Sequence, residues 1–230
     1  MIRPTDIPLE VKQVATTLEG AGFEAYLVGG CVRDLMLGRT PKDWDLTTNA
    51  HPDQIQALFP DSYYNNDYGT VGVKNDETED ERLKVIEVTP YRTESGYSDA
   101  RRPDSVTFGV SLEEDLARRD FTVNAIAYRA SDGTVVDPFG GREDMAEKRL
   151  KAVGDPDERF AEDALRMMRA VRLAAELNFV IESDTMAAIT RNSKQLERIS
   201  IERIAAEFLR IINSPTPMQG VIFLEKLGLI

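Results

Sequence analysis

The sequence predicts an α+β fold in which a mixed α/β head precedes an all-α segment. Over residues 1–136, short apolar strand candidates alternate with helical segments, whereas the segments after residue 157 all show helical periodicity. The Pro/Gly cluster at 137–141 lies between the two patterns and is typical of a boundary between domains. We therefore expect a head over residues 1–139 and a helical region over residues 140–230.

The elements of the head follow from apolar spacing and from the Gly and Pro residues that interrupt it. Helices are predicted at 7–21, 32–37, 52–59 and 112–118. Strands are predicted at 23–28, 43–46, 70–74, 83–89, 106–108, 123–128 and 135–136, although residues 124–128 could also continue a helix. The acidic turn at 75–81 indicates a solvated hairpin loop, and the segment 92–103 is rich in Gly, Ser and charge, which indicates a mobile loop.

The helical region is predicted to contain helices at 158–179, 184–191, 201–212 and 218–227, with Ser183 and Ser200 as N-caps. No strand is predicted there.

Composition restricts the class of protein. With 42% hydrophobic and 30% charged residues, the 230-residue chain is expected to be globular. Its one cysteine, Cys31, excludes an internal disulfide and is interpreted as a small packing residue. No apolar run is long enough for a membrane helix and the N-terminus does not resemble a signal peptide, so the sequence predicts a cytoplasmic protein without membrane contact.

Charge argues against a protein that coats nucleic acid generically. The net charge is −12, of which −11 falls in residues 1–150, with 17 basic and 28 acidic side chains there. Since affinity for nucleic acid comes largely from neutralised phosphates, any RNA contact must use clustered arginines.

Asp43 and Asp45 are the strongest candidate for a functional site. Residues two positions apart on a strand project to the same side, so the two carboxylates would converge. Mg²⁺ prefers oxygen ligands and is usually held by one or two protein carboxylates, with substrate phosphates completing its shell. The pair therefore predicts a metal–triphosphate site; the alternative is a solvated turn in which Asp43 caps a helix.

A glycine turn precedes this pair. Gly29 and Gly30 would let backbone N–H groups approach an anion, and Arg33 could bind phosphate oxygens. Neither the P-loop nor the dinucleotide-binding spacing is present, and a plain strand–turn–helix would also explain the turn alone. Glu87 could be a third carboxylate on an adjacent strand or a surface charge on an edge strand.

Two further clusters could bind a nucleotide. Arg118, Arg119, Asp120 and Asn124 surround the apolar anchor Phe121 and could bind phosphate and a ribose hydroxyl, or could form a surface salt-bridge network. In the predicted helix at 158–179, one face would be shared by four charged residues, and these could read a base edge or simply form ion pairs: Glu162, Asp163, Arg166 and Arg169.

These motifs occur in an order that resembles the bacterial and eukaryotic-type (class II) tRNA nucleotidyltransferases, which include CCA-adding enzymes and related poly(A) polymerases. The motifs are the run from Leu27 to Asp45, the run from Arg118 to Ala125, the run from Asp137 to Gly141 and the run from Glu162 to Arg169. The resemblance implies a head with the DNA polymerase beta-like nucleotidyltransferase fold, followed by a helical neck and the start of a body domain. Family members usually continue much further than residue 230.

The resemblance also implies roles for the individual residues. Asp43 and Asp45 would bind Mg²⁺, and Gly29, Gly30 and Arg33 would hold the triphosphate. Arg119 and Asp120, in the motif that also contains Asn124, would recognise the sugar. Asp163 and Arg166 would pair with the base of CTP or ATP, with Glu162 orienting the arginine and Arg169 on the same face. The segment 137–141 would be a hinge, and the segment 92–103 the loop used to switch from C to A.

The expected activity is template-independent CCA addition to the 3′ end of tRNA, with release of pyrophosphate. Within the same class, an A-adding or CC-adding specialist or a poly(A) polymerase is the alternative. From a different class, the chain could be a nucleotide-binding head–neck fragment with little activity. No obligate protein partner is expected.

Overall fold

The computed structural model describes residues 2–64, 68–97 and 103–230, and these residues form two compact units. The first unit contains residues 1–93, 106–119 and 124–139, and the second contains residues 94–105, 120–123 and 140–230. Each unit therefore consists of several separate stretches of the chain.

The first unit is built on a mixed sheet. Among the described residues this sheet has the strands β1 (Ala25–Val28), β2 (Asp45–Thr48), β3 (Ser62–Tyr64), β4 (Val71–Lys74), β5 (Val85–Pro90), β8 (Ala127–Tyr128) and β9 (Val135–Val136). Their order is β3-β4-β5-β2-β1-β8-β9, and β2 and β5 run parallel while the other neighbours run antiparallel. The central strands β1 and β2 are almost entirely buried, as expected for strands covered on both faces. The predicted α+β class is confirmed.

Helices flank this sheet. They are α1 (Leu9–Gly20), α2 (Gly30–Met36), α3 (Pro52–Leu58) and α4 (Leu112–Ala117), with short 3₁₀ turns at Pro4–Asp6 and Thr122–Asn124. The apolar spacing that predicted α1 corresponds to its buried face, since Val11, Val14, Ala15 and Leu18 are buried, whereas Leu9 is exposed.

Three predictions for the head are wrong in detail. In place of the strand predicted at 123–128, the structure has the 3₁₀ turn Thr122–Asn124 followed by the two-residue strand β8. The strand predicted at 43–46 begins only at Asp45, so Asp43 lies in the bend before β2. The segment predicted as a loop begins with a strand, β6 (Arg92–Ser95), which pairs with β7 (Ser105–Phe108). Strand β6 has no apolar alternation, because its residues are all polar and are half-buried or exposed on both faces, whereas β7 alternates and was predicted at 106–108. The rest of that loop includes residues 98–102, which lie outside the described residues.

The second unit is mainly helical. Its helices are α5 (Gly141–Ala146), α6 (Pro156–Glu162), α7 (Leu165–Leu177), α8 (Ser183–Asn192), α9 (Ile201–Ile212) and α10 (Pro217–Lys226), with a 3₁₀ turn at Ser193–Arg198. Contrary to the prediction of no strand, β10 (Arg149–Leu150) and β11 (Val180–Ile181) form a two-residue parallel ladder. A two-residue strand is too short to give a periodic signal in the sequence.

The helix predicted at 158–179 is two helices. Asp163 has an extended backbone (φ −140°, ψ 103°), and its carboxylate Oδ1 accepts a hydrogen bond of 3.0 Å from the Leu165 N–H. A short acidic side chain that bonds the backbone two residues on competes with the helix and starts a new one. The predicted N-cap Ser183 is also wrong, because the Glu182 carboxylate caps α8; Ser200 is at the N-cap of α9 but makes no side-chain cap hydrogen bond.

A buried carboxylate joins α4 to the sheet of the first unit. Asp115 is fully buried and accepts hydrogen bonds from Arg118 Nη2 at 2.7 Å and from Arg119 Nη2 at 3.4 Å. Thr47 Oγ1 lies 3.3 Å from the same carboxylate, and the Arg92 N–H donates to it at 3.4 Å. Burial acts to raise the pKa of Asp115, but the two arginines and the hydrogen bonds outweigh it and hold that pKa below its ordinary value.

Within the described part of the chain, no helix combines the length and the apolar character that crossing a membrane requires.

Replacing Gly220 by alanine is expected to destabilise the second unit. A Cβ at this position of α10 would overlap Ile211 Cγ2 of α9 and lie 3.3 Å from Ala175 Cβ of α7. Gly220→Ala should lower the free energy of unfolding by about 1–3 kcal/mol, measured by urea denaturation. Gly20→Ala is the control, because a Cβ there meets nothing within 4 Å and a helical alanine should be neutral or stabilising. Equal stability of the two variants would contradict the packing of α10 on α9.

Asp115→Asn is expected to cost on the order of 3 kcal/mol at neutral pH, because it leaves two arginines beside an uncharged group in a buried position. The pKa of Asp115 is lower in the folded than in the unfolded chain, so the unfolded chain binds more protons between the two values. The contribution of the Asp115 carboxylate to the free energy of unfolding is thus complete above the ordinary aspartate pKa, and it is lost as the pH falls through the lowered pKa.

Denaturation of wild type and variant from pH 7 downward would check this. Their difference in unfolding free energy should shrink only in the acid range below the ordinary aspartate pKa. Glu113→Gln, on the exposed side of α4, should change stability by a few tenths of a kcal/mol and show no such loss. If the difference in unfolding free energy between wild type and Asp115→Asn stayed constant through the acid range, a stabilising charge on Asp115 would be disproved.

Candidate nucleotide-binding site

The glycine turn lies between β1 and α2 and is surrounded by the predicted charged residues of the first unit. Gly29 has a positive φ of 75°, which disfavours any residue with a Cβ. A Cβ there would lie 3.2 Å from Arg119 Nη1 and 3.6 Å from Asp45 Oδ2. A Cβ on Gly30 would lie 3.6 Å from Arg33 Nη2 and 3.8 Å from Asp43 Oδ1. The missing side chains leave a space bordered by two carboxylates and two guanidinium groups.

Asp45 is the most perturbed carboxylate of this cluster. Burial, followed by the nearby charges of Asp43 and Glu87, raises the pKa of Asp45 to about 7, and Arg119 opposes the rise. The negative charge of Asp43 and Asp45 beside the turn, with Glu87 near enough to raise the pKa of Asp45, favours binding of a cation.

Glu87 lies on β5 opposite Asp45 of β2 in the parallel register. Since β5 lies between β4 and β2, Glu87 is not on an edge strand, and that alternative for it is wrong. Its role as a metal ligand stays a prediction.

A divalent cation fits the residues of the turn. Asp43 and Asp45 provide two oxygen-ligand side chains beside a space that a Cβ would otherwise fill, and Mg²⁺ takes one or two carboxylates when phosphate completes its shell. The described residues do not form a cluster of three or more ligating side chains that could hold a metal by themselves. The donor set therefore suits a metal shared with a substrate.

Arg33 is held in place by its neighbours. Its Nε and Nη2 donate to Asp34 Oδ1 at 2.9 and 2.8 Å, and its Nη1 donates to Asn124 Oδ1 at 2.8 Å. The structure thus brings Asn124 to the glycine turn through Arg33. Cys31, in the same turn, is fully buried, and its Sγ donates to the Val28 carbonyl at 3.1 Å. Burial raises the pKa of the Cys31 thiol to about 12, which agrees with a packing role.

The predicted cluster around Phe121 is divided between the two units. Arg119 and Asn124 contact residues of the first unit, as described above. Asp120 belongs to the second unit, where Oδ2 accepts from Arg169 Nε at 3.1 Å and from Arg169 Nη2 at 2.6 Å. Phe121 is fully buried in the second unit and forms a bridge with Ala152.

The charged residues at the junction of α6 and α7 form a connected network in the second unit. Glu162 accepts from Arg159 Nη2 and from Arg166 Nη1, each at 2.5 Å. Arg166 Nη1 also donates to the Arg159 carbonyl at 3.1 Å. Asp163 Oδ2 accepts from Arg203 Nη2 of α9 at 3.1 Å.

Because the helix is interrupted at Asp163, the four charged residues do not lie on one face of a single helix. The prediction of one shared helical face is therefore wrong. The opposite, apolar face is buried as expected: Phe160, Ala164, Met168, Val171 and Ala175.

Several charged partners were missed in the sequence. Arg159 is one turn before Glu162 and could have been found by its i,i+3 spacing, but Arg203 lies forty residues from Asp163 on another helix and gives no local signal. Tyr97 was also missed. Its hydroxyl donates to Glu94 Oε2 at 2.8 Å. Burial, followed by the charge of Glu94 and more weakly that of Glu162, raises the pKa of Tyr97.

Comparison with known proteins agrees with these motifs. Residues 25–151 match the family described as "Poly A polymerase head domain", and residues 178–230 match the family described as "Probable RNA and SrmB- binding site of polymerase A". The chain is 48% identical over 219 residues to a CCA-adding enzyme of Levilactobacillus brevis, covering 95% of this chain and 53% of that protein. It is 47% identical over 209 residues to a CCA-adding enzyme of Geobacillus thermodenitrificans, covering 90% and 50%.

Solved structures give the same result. The CCA-adding enzyme of Bacillus stearothermophilus, solved in complex with CTP, superposes with a TM-score of 0.86 at 41% identity and covers 100% of this chain and 53% of that one. A Thermotoga maritima CCA-adding enzyme, solved with tRNA, shares the fold at a TM-score of 0.76 and 22% identity, covering 95% of this chain and 50% of that one. The chain spans about half the length of the curated relatives it matches. Since the head-domain match alone extends over more than half of its residues, the protein belongs to the family of the poly A polymerase head domain and resembles the CCA-adding tRNA nucleotidyltransferases within it.

Proposed function

We propose that the protein is an RNA 3′-terminal nucleotidyltransferase that adds CMP and AMP from CTP and ATP to the 3′ end of tRNA. The observation that carries the proposal is the convergence of Asp43, Asp45, Arg33 and Arg119 around the Gly29–Gly30 turn. Similarity to CCA-adding enzymes, one of them solved with CTP, supports this choice of substrates. We also propose residues 1–139 as the catalytic head and residues 140–230 as the neck and the start of a body.

The head residues would bind and orient the triphosphate. Asp43 and Asp45 would hold Mg²⁺, which when bound supplies positive charge at the phosphates and lowers the pKa of a hydroxyl bound to it. The absence of side chains at Gly29 and Gly30 lets the phosphates approach the backbone N–H groups. Arg33 and Arg119 would donate to phosphate oxygens, and Asp34, Asn124 and Asp115 already fix their guanidinium groups. Such pre-positioned charge is the main contribution a protein can make to phosphoryl transfer.

The second unit would select the nucleotide. Cytosine and adenine both present an exocyclic amino group as donor, whereas uracil and guanine present a carbonyl at the corresponding position. The Asp163 carboxylate would accept from that amino group, while Arg166, held by Glu162, would donate to the ring nitrogen beside it. A uracil or guanine would leave these groups without complementary partners, so it would be rejected. Asp120, oriented by Arg169, would accept a hydrogen bond from the ribose hydroxyl.

Replacing both Asp43 and Asp45 by alanine should reduce nucleotide incorporation by about 10³-fold or more, because the charge that aligns the phosphates is lost. The assay uses tRNA lacking its 3′ end, Mg²⁺ and labelled CTP or ATP, with products resolved by length. Asp76→Ala, in the exposed hairpin turn, is the control and should leave the rate unchanged.

Failure of the wild-type chain to incorporate either nucleotide would overturn the proposed activity. If it nevertheless bound CTP, the protein would instead be the nucleotide-binding fragment considered from the sequence. Long runs of A in place of CCA would identify a poly(A) polymerase.

Asp120→Ala should lower the preference for CTP over dCTP about tenfold or more, because the acceptor proposed for the 2′-hydroxyl is removed. The ratio of kcat/KM for the two nucleotides measures this preference. Asp157→Ala is a matched control, since it breaks an exposed aspartate–arginine pair, with Arg191, in the same unit. An unchanged ratio in Asp120→Ala would exclude Asp120 from sugar recognition.

A further inference from the structure

We propose that Arg203 is a positioning residue that fixes the Asp163 carboxylate and thereby sets the selection of the base. This inference rests on the proposed function, because it assigns the partner that orients one of its base-reading groups. Arg203 lies in the first turn of α9, far in sequence from the motif that it serves.

Two contacts define the orientation of the Asp163 side chain. Oδ1 accepts the Leu165 N–H at 3.0 Å and Oδ2 accepts Arg203 Nη2 at 3.1 Å. The backbone contact binds one oxygen, so the carboxylate could still turn about its last torsion without a second contact. Arg203 supplies that contact as a charge-assisted hydrogen bond. A carboxylate has about four lone-pair directions, and these two contacts leave acceptor capacity for a base amino group.

The ion pair between Arg203 and Asp163 is largely shielded from solvent. The side chains of Arg203 and Asp163 are 23% and 17% exposed, so solvent screens their attraction less than at an open surface. Arg166 is oriented separately, by Glu162 and the Arg159 carbonyl. Without Arg203, the Asp163 carboxylate could turn about its last torsion and lose its alignment with a base.

Helix α9 is itself a firm support for Arg203. One turn further along the same helix, Glu207 is buried and its Oε2 lies 2.6 Å from Arg172 Nε of α7. Ile211, a further turn on, is fully buried at the contact with Gly220 of α10. These contacts fix α9 against the helix that follows Asp163, so the position of Arg203 relative to that carboxylate is set by packed structure.

Arg203 also lies in the segment that matches a family described as an RNA-binding site, so a contact with an RNA phosphate is the competing role. The observed geometry favours the positioning role, because the Arg203 guanidinium is directed to Asp163 and is mostly shielded from solvent. The two roles predict different kinetic changes.

The test compares Arg203→Ala, Arg203→Gln and Arg203→Lys in the full chain, with tRNA lacking its 3′ end. We expect Arg203→Ala and Arg203→Gln to lower the ratio of kcat/KM for CTP over UTP about tenfold. Arg203→Lys keeps the charge and should restore most of the ratio. In an Asp163→Asn background, Arg203→Ala should have no further effect on it. The control is Arg210→Ala, on the same helix as Arg203. It breaks an ion pair with Glu176 of α7 and should leave the ratio unchanged.

A ratio that stays at the wild-type value in Arg203→Ala and Arg203→Gln would overturn the inference, and a raised KM for tRNA alone would identify the phosphate contact instead. If Arg203→Ala does not fold, Arg203→Gln and Arg203→Lys decide between the same outcomes. Absence of incorporation by the wild-type chain would count against the proposed function. Equilibrium binding of CTP and UTP would then test the inference separately, because Arg203→Gln must still reduce the preference for CTP.

Discussion

The head depends on one electrostatic constraint: a carboxylate must be held at the start of a central strand beside two others. Asp45 begins β2, Glu87 lies opposite it on β5, and Asp43 precedes it by two residues. Their mutual repulsion, together with burial, disfavours the charged form of Asp45. A fold gains nothing in stability from such an arrangement. The turn at Gly29 and the guanidinium of Arg119 surround the same point, so the strain is concentrated where a cation and phosphates would relieve it.

In both units, the arginines of the candidate site are paired with neighbouring side chains. Arginines proposed to touch substrate are already held by acidic or amide partners: Arg33 by Asp34 and Asn124, Arg119 by Asp115, and Arg166 by Glu162. This pairing would allow a chain of net charge −12 to present guanidinium groups to the nucleotide proposed as its substrate. The acidic residues near the site do not only repel the ligand. They fix donor directions before the ligand arrives, which reduces the reorganisation needed on binding.

Local patterns predicted much of this architecture, and their failures have physical causes. Strands β1, β2, β4 and β5 and helix α1 were predicted within a few residues, because each buries a clear apolar face or run. Helices α9 and α10 were predicted equally closely from their apolar spacing, although Ile201, Leu209 and Met218 are exposed. Periodicity failed at Asp163, where a side-chain hydrogen bond replaces a backbone one, and at β6, whose faces are both partly exposed. The charged groups of the site were predicted from motif spacing. Asp115 precedes Arg118 and Arg119 by three and four residues, a spacing that could have indicated their pairing. Arg203 could not be predicted as the partner of Asp163, since a contact between separate helices has no local sequence signature.

Because each unit consists of several separate stretches of the chain, the two units cannot be separated by cutting the chain once. The stretches 94–105 and 120–123 lie within the sequence span of the first unit but belong to the second. No single cut of the chain therefore yields one unit complete and without foreign segments. A fusion or recombination event at residue 139 would separate Asp120 from its partner Arg169, although both belong to the second unit. The head and the helical region are thus expected to be exchanged between relatives together, as one cassette, although each has its own core.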